Sequence, residues 1–155
     1  MRIAYVEDNP ANLALIERVA KMPPTHALVT FTEGEIALPA LQQESFDLIL
    51  IDVELAGEMN GLEMVRLLRA GGLTTPIVAV TAYAMLGDRE KCLAAGCNDY
   101  LPKPLPIIEL VQLLQKYDAL TRTQKQEAQA PPSASAPPSA SAAEEAEPRK
   151  ASEAG

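Results

Sequence analysis

Five polar side chains stand directly behind short apolar runs, and their types belong together chemically. Ile3 to Val6 stops at Glu7-Asp8, Leu48 to Ile51 ends on Asp52, Ile77 to Val80 ends on Thr81-Ala82, and Tyr100-Leu101 is followed by Pro102-Lys103-Pro104. Three carboxylates in one pocket repel each other and raise one another's pKa values, so stability alone would not gather them. A divalent cation resolves the conflict. An all-oxygen donor set favours Mg2+, or Mn2+ as a substitute, over zinc. A carboxylate beside such a cation can attack an electrophilic phosphorus. Lys103 would pair with the incoming phosphoryl oxygens as a point charge, and Thr81 would donate a hydroxyl hydrogen bond to one of them.

Taken singly, each residue has a structural reading. Asp8 or Asp52 could cap a helix or turn, Thr81 could be a buried structural hydroxyl, and Lys103 between two prolines could be a surface lysine. Taken jointly, the structural readings need five coincidences. The lone histidine, His26, lies elsewhere, and no cysteine follows a strand.

The elements that must position these groups are legible from hydrophobic pattern. Residues 10–22 carry Leu13, Ile16, Val19 and Ala20 on one helical face, with Asn9 suited to cap the helix and Pro10 to its first turn. Ala27 to Phe31 reads as a strand. Residues 33–43 read as a helix that Pro39 should kink or delay. Helices are expected over 61–70, 85–95 and 106–118, and strands at 48–51, 77–80 and 100–101. The strands are apolar without alternation, as when both faces of a sheet are covered. Strand and helix alternate five times, which predicts an α/β fold: a doubly wound, five-stranded parallel sheet with two helices on one face and three on the other. In such sheets sites lie beyond the carboxyl ends of the strands. With strand order 2-1-3-4-5, Glu7, Asp8 and Asp52 converge on one pocket.

Residues 1–120 form the expected folded domain. Residues 121–155 are dominated by Ala, Pro, Ser and Glu, with Pro pairs at 131–132 and 137–138, and read as a disordered tail that is either a plain solvated extension or a tether. The net charge is −8, and residues 1–120 hold nine Lys and Arg against sixteen Asp and Glu. An acidic domain with no basic patch is a poor partner for a phosphate backbone, so direct nucleic-acid binding is not expected. The sequence shows no signal peptide and no run of eighteen apolar residues, which predicts a cytoplasmic protein without membrane insertion. Cys92 and Cys97 make no disulfide framework and read as small buried or half-buried hydrophobes.

Four stretches together resemble a response-regulator receiver domain of two-component phosphorelays over residues 2–118. They are Val6-Glu7-Asp8-Asn9, Asp47 through Asp52, Thr75 through Ala82, and Gly87 through Cys92 continuing from Ala95 through Pro104. The resemblance implies a flavodoxin-like fold, with Asp52 as phosphoacceptor. It implies that Asp8 binds Mg2+ directly, that Glu7 acts through water, and that the backbone carbonyl of Glu54 adds a further protein ligand. Thr81 and Lys103 would contact the phosphoryl group, Pro104 would follow a cis bond, and Tyr100 would be the aromatic that swings inward when Thr81 moves. Such a domain catalyses its own phosphorylation from phosphohistidine and its own dephosphorylation, without turning over an independent substrate. Its implied partners are a histidine kinase or histidine phosphotransfer protein and a downstream protein. The downstream protein would meet the face of the fourth helix, fifth strand and last helix, and a homodimer is a separate open reading.

Three roles follow: a switch that binds a partner when phosphorylated, a relay between a hybrid kinase and a phosphotransfer protein, or a scaffold with a vestigial site. The stretch from Thr81 to Pro104 is similar to receivers attached to hybrid kinases. No second domain or DNA-binding module is expected after the last helix. The chain departs from the family pattern after Asp52. Val53 through Gly61 lacks the usual proline, is one residue longer, and carries Gly57, which predicts a loop that is mobile without Mg2+. Asn60-Gly61 should still cap the helix that follows. Glu54 and Tyr83, two residues after Asp52 and Thr81, should tune phosphate lifetime, Tyr83 by shielding.

Overall fold

The computed structural model describes residues 1–82 and 87–129. Its elements run β1 (Arg2–Val6), α1 (Pro10–Ala20), β2 (Ala27–Phe31), α2 (Gly34–Gln43), β3 (Leu48–Asp52), α3 (Gly61–Ala70), β4 (Ile77–Thr81), α4 (Asp88–Ala95), β5 (Asp99–Pro102) and α5 (Ile107–Gln129). The strands form one parallel sheet in the order β2-β1-β3-β4-β5. The expected doubly wound, flavodoxin-like architecture is therefore the observed one.

Side-chain alternation along each strand divides the core in two. Ile3, Tyr5, Leu48, Leu50, Val78 and Val80 pack beneath α1 and α5. Ala4, Val6, Ile49, Ile51, Ile77 and Ala79 pack beneath α2, α3 and α4. β3 and β4 are buried along their whole length, which accounts for their unbroken hydrophobicity. Cys92 and Cys97 are buried, free thiols of this core. Burial, reinforced by Cys92, pushes the Cys97 thiol up to about 12, far from a reactive thiolate.

Local signals set the helix ends. Asn9 accepts from the Ala11 N–H and Pro10 opens α1. Asn60 accepts from the Glu63 N–H at the start of α3, so the cap expected there is present. Pro39 neither delays nor ends α2. It lies on the exposed side of a continuous helix, as does Glu35, the residue four before it whose carbonyl loses its N–H partner.

One boundary differs from the sequence reading. The last helix, expected to stop at 118 with disorder from 121, continues to Gln129. Residues 121–129 contain no proline and are mostly good helix formers. Arg122 pairs with Asp118 at 3.1 Å, Lys125 with Asp47 at 3.6 Å, and Thr121 is buried. The compositional boundary averaged this last stretch of helix with the Pro-rich segment behind it. The tail reading for 130–155, the first residues of the helix expected from 85, and Tyr83 lie outside the described residues.

Candidate functional site

Sheet register brings the polar residues to one edge. Val6 pairs with Ile51, and Asp52 with Val80, so Glu7 and Asp52 emerge at the same level. Thr81 pairs with Pro102, which sets Lys103 beside them. The ladder continues one residue past the strands: Glu7 N–H donates to Phe31 O at 2.9 Å, Val53 N–H to Val80 O at 2.8 Å and Lys103 N–H to Thr81 O at 2.7 Å. The side chains at this edge thus rest on hydrogen-bonded backbone.

Glu7, Asp8 and Asp52 each offer a carboxylate oxygen, and these oxygens lie within 4.8 Å of one another. Glu7 is fully buried and caged. It accepts from Tyr5 Oη at 2.8 Å, Asn9 N–H at 3.1 Å and Asn12 Nδ2 at 3.3 Å, and Lys103 Nζ lies 3.2 Å away. Burial and the Glu7 charge push the Tyr5 phenol far above its ordinary range, so Tyr5 remains a donor. Asp8 is exposed, and one oxygen accepts from the Ala56 N–H at 3.3 Å.

Asp52 is 1 % exposed. Its Oδ1 accepts from Lys103 Nζ at 3.0 Å and from the Glu54 N–H at 3.0 Å, while the described residues give Oδ2 no hydrogen-bond donor. Burial pushes the Asp52 carboxyl up to about 7; Lys103 opposes the rise and Glu7 adds to it. Burial alone would lower the Lys103 pKa, but the two carboxylates outweigh it and hold the ammonium form. The Lys103–Pro104 peptide is cis.

Among the described residues, Lys103 is the cation paired with the two buried carboxylates, Glu7 and Asp52, and Asp8 lies beside them. The donors are all hard oxygens, one of them on a carboxylate whose charged form is disfavoured without added positive charge. This set fits a divalent cation such as Mg2+.

Thr81 is buried at the end of β4. Its hydroxyl donates to Glu54 Oε1 at 2.6 Å, and the neighbouring Ala82 N–H reaches Oε2 of the same carboxylate at 3.2 Å. Tyr100 is half-buried against the α2–α4 side of the core. The structure thus brings together Glu7, Asp8, Asp52, Glu54, Thr81 and Lys103. Sequence reasoning missed the cage of Glu7. Tyr5 shares a strand face with Glu7 at i+2, a signal that was readable, whereas the reach of Asn12 depends on how α1 docks. It also missed that the Glu54 side chain crosses to Thr81.

A doubly wound parallel sheet with a carboxylate cluster, a lysine and a threonine at its carboxyl edge defines a signalling-type α/β domain whose edge can coordinate a divalent cation. Residues 3–115 match the response regulator receiver domain, and the chain belongs to that family. Over 124 residues it is 37% identical to the sensor protein GacS of Pseudomonas syringae pv. syringae, and over 119 residues 39% identical to the histidine-protein kinase BarA of Escherichia coli K12. The alignments cover 77% and 76% of this chain but 14% and 13% of those proteins, so the chain spans about one seventh of their length. The receiver domain of a Pseudomonas aeruginosa sensor histidine kinase, solved with a magnesium ion in its active-site cleft, is 38% identical with a TM-score of 0.66. That likeness covers 75% of this chain and 95% of the other. Among the described residues, no helix is long and apolar enough to cross a membrane.

Proposed function

We propose that this chain is a phosphorylation switch in which Asp52 takes a phosphoryl group from a phosphohistidine of a kinase or phosphotransfer protein. The observation that carries this reading is the buried Asp52 carboxylate, fastened through Oδ1 and given no donor at Oδ2 by the described residues, beside two further carboxylates and Lys103. Asp52 attacks phosphorus, an O–P bond forms, and the N–P bond of the donor breaks with its electron pair returning to the imidazole, which takes a proton from water. Glu7, Asp8 and Asp52, with the Glu54 carbonyl, would hold Mg2+, or Mn2+ in its place. A cation held there would supply positive charge to the crowded carboxylates and the phosphoryl oxygens.

Lys103 and the Thr81 hydroxyl receive the phosphoryl oxygens. Thr81 then draws toward the phosphate and Tyr100 fills the vacated space. The face of α4, β5 and α5 shifts between two populations that a downstream protein, or a second copy of the chain, can distinguish. Glu54 and Tyr83 tune how long the phosphate lasts; Tyr83→Ala should lose it faster, as radiolabel decay would show. A cytoplasmic setting and a Pro-rich tether beyond the helix complete this reading.

Relay is the second reading. It is favoured by the identity to a short segment of two sensor kinases. Mass spectrometry after incubation with acetyl phosphate and Mg2+ tests the common core. The expected result is a phosphoryl adduct on Asp52, absent from Asp52→Asn. An unmodified wild type would leave only the scaffold role. Rapid transfer from phosphorylated Asp52 to a free phosphotransfer protein would then favour relay over a terminal switch.

A further inference from the structure

The Glu54 side chain is a second anion in the pocket, and it holds the donors that an incoming phosphoryl group would need. Its backbone is fixed first, because the Glu54 N–H donates to Asp52 Oδ1 at 3.0 Å. From that anchor the side chain spans from the end of β3 to the end of β4. Thr81 Oγ1 donates to Oε1 at 2.6 Å, and the Ala82 N–H lies 3.3 Å from Oε1 and 3.2 Å from Oε2. A hydroxyl and a backbone amide on consecutive residues thus converge on one carboxylate.

A carboxylate and a phosphoryl group make the same demand on such donors. Both present anionic oxygens about one hydrogen bond away, and both form short, charge-assisted bonds. With one hydrogen each, the Thr81 hydroxyl and the Ala82 N–H cannot both serve Glu54 and both serve a phosphoryl group at once. The local charge sharpens the competition. Glu7, Asp8 and Asp52 already crowd the site, and Lys103, the lysine of the site, is committed to Glu7 and Asp52 rather than to Glu54. A fourth carboxylate close by is tolerated because Thr81 and Ala82 satisfy it.

We propose that Glu54 is a built-in placeholder: its carboxylate occupies the phosphoryl-oxygen subsite of the resting protein and must swing out before Asp52 can hold phosphorus. Glu54 is therefore a positioning and gating residue, separate from any role of its backbone carbonyl toward a cation. The proposal rests on the reading of Asp52 as phosphoacceptor. It adds that the resting pocket is closed by a side chain of the chain itself, and that loading the pocket exchanges one anion for another.

The test compares wild type, Glu54→Gln and Glu54→Ala at saturating Mg2+, so that a small change in cation affinity does not enter. The probes are acetyl phosphate as donor and beryllium trifluoride as phosphoryl mimic. Glu54→Ala should be phosphorylated faster by about tenfold, the factor that one surrendered charge-assisted hydrogen bond represents. It should also bind beryllofluoride more tightly by a similar factor, with Glu54→Gln in between. Amide NMR gives a readout that a merely structural role would not move. The Ala82 N–H resonance should shift upfield in Glu54→Ala and return toward its wild-type position when beryllofluoride binds. Equal phosphorylation rates and equal beryllofluoride affinities in all three proteins, with Asp52 labelled normally, would overturn the placeholder and leave the phosphoacceptor reading intact. An Asp52 unlabelled in every variant would overturn both.

Discussion

At the scale of single residues, Asp52 shows what the site costs. A carboxylic acid at the end of a fully buried strand is held there with one oxygen fastened and its charged form disfavoured. The sign of the effect follows from proton linkage. Unfolded, Asp52 titrates at an ordinary carboxyl value near 3.8; folded and metal-free, it titrates at about 7. Below the lower value both states are protonated and nothing is lost. Between the two, the folded state binds more protons, so stability falls as pH rises, and the loss is complete above about 7. Asp52→Asn removes that loss while Lys103 keeps Glu7 as a partner at 3.2 Å. In EDTA at pH 8 the variant should be more stable than wild type by about 1–4 kcal/mol, the range seen when buried ionic groups give way to neutral ones. Urea unfolding followed across pH should show the two proteins converging as pH falls toward 4. A wild type that is the more stable at pH 8 would contradict the strained carboxylate.

At the scale of elements, the site depends on the turn from β3 into α3. A Cβ built on Gly61 would lie 2.2 Å from the Asp52 carbonyl oxygen and 2.9 Å from Ile51 Cγ2, so the backbone of Asp52 passes where a side chain would begin. Gly61→Ala must push that strand end away. It should cost about 2–4 kcal/mol and slow labelling of Asp52, measured by thermal unfolding and by acetyl phosphate incorporation. Gly72→Ala is the informative contrast. Its φ is +92° with open space around the position, so it should cost only about 1 kcal/mol and leave labelling alone.

These elements were largely readable in advance because their signals are local. Apolar runs that stop at acidic residues, an Asn-Pro start to α1 and an Asn-Gly start to α3 need no knowledge of the rest of the chain. What could not be read was set by contacts across the fold. The reach of Asn12 to Glu7, the crossing of Glu54 to Thr81 and the ion pair of Lys125 with Asp47 that accompanies the longer α5 depend on how separate elements dock. Pro39 shows the same limit from the other side. Its local rule was right about the lost hydrogen bond, but its exposed position made that loss inexpensive.

At the scale of the whole molecule, the fold gathers like charge at one edge of its sheet, and a cation should therefore stabilise all of it. Glu7 follows β1 and Asp52 ends the adjacent β3, so separating them would mean unzipping β1 from β3 at the centre of the sheet. The repulsion cannot relax locally and is carried by the folded state as a whole. Any ion that binds the folded chain alone raises its stability by mass action, about 1.4 kcal/mol at ten times its dissociation constant. For a domain of this size that is a rise of about 3–5 °C in melting temperature. MgCl2 should give this rise over NaCl of equal ionic strength, and Asp8→Asn or Asp52→Asn should remove most of it. The gain should also shrink as pH drops below about 7, because protons then compete with the cation for Asp52. Differential scanning calorimetry at pH 8 and pH 6 separates the cases. A Mg2+ effect that persists in Asp8→Asn, or that does not weaken at pH 6, would mean that the cation binds somewhere other than between β1 and β3.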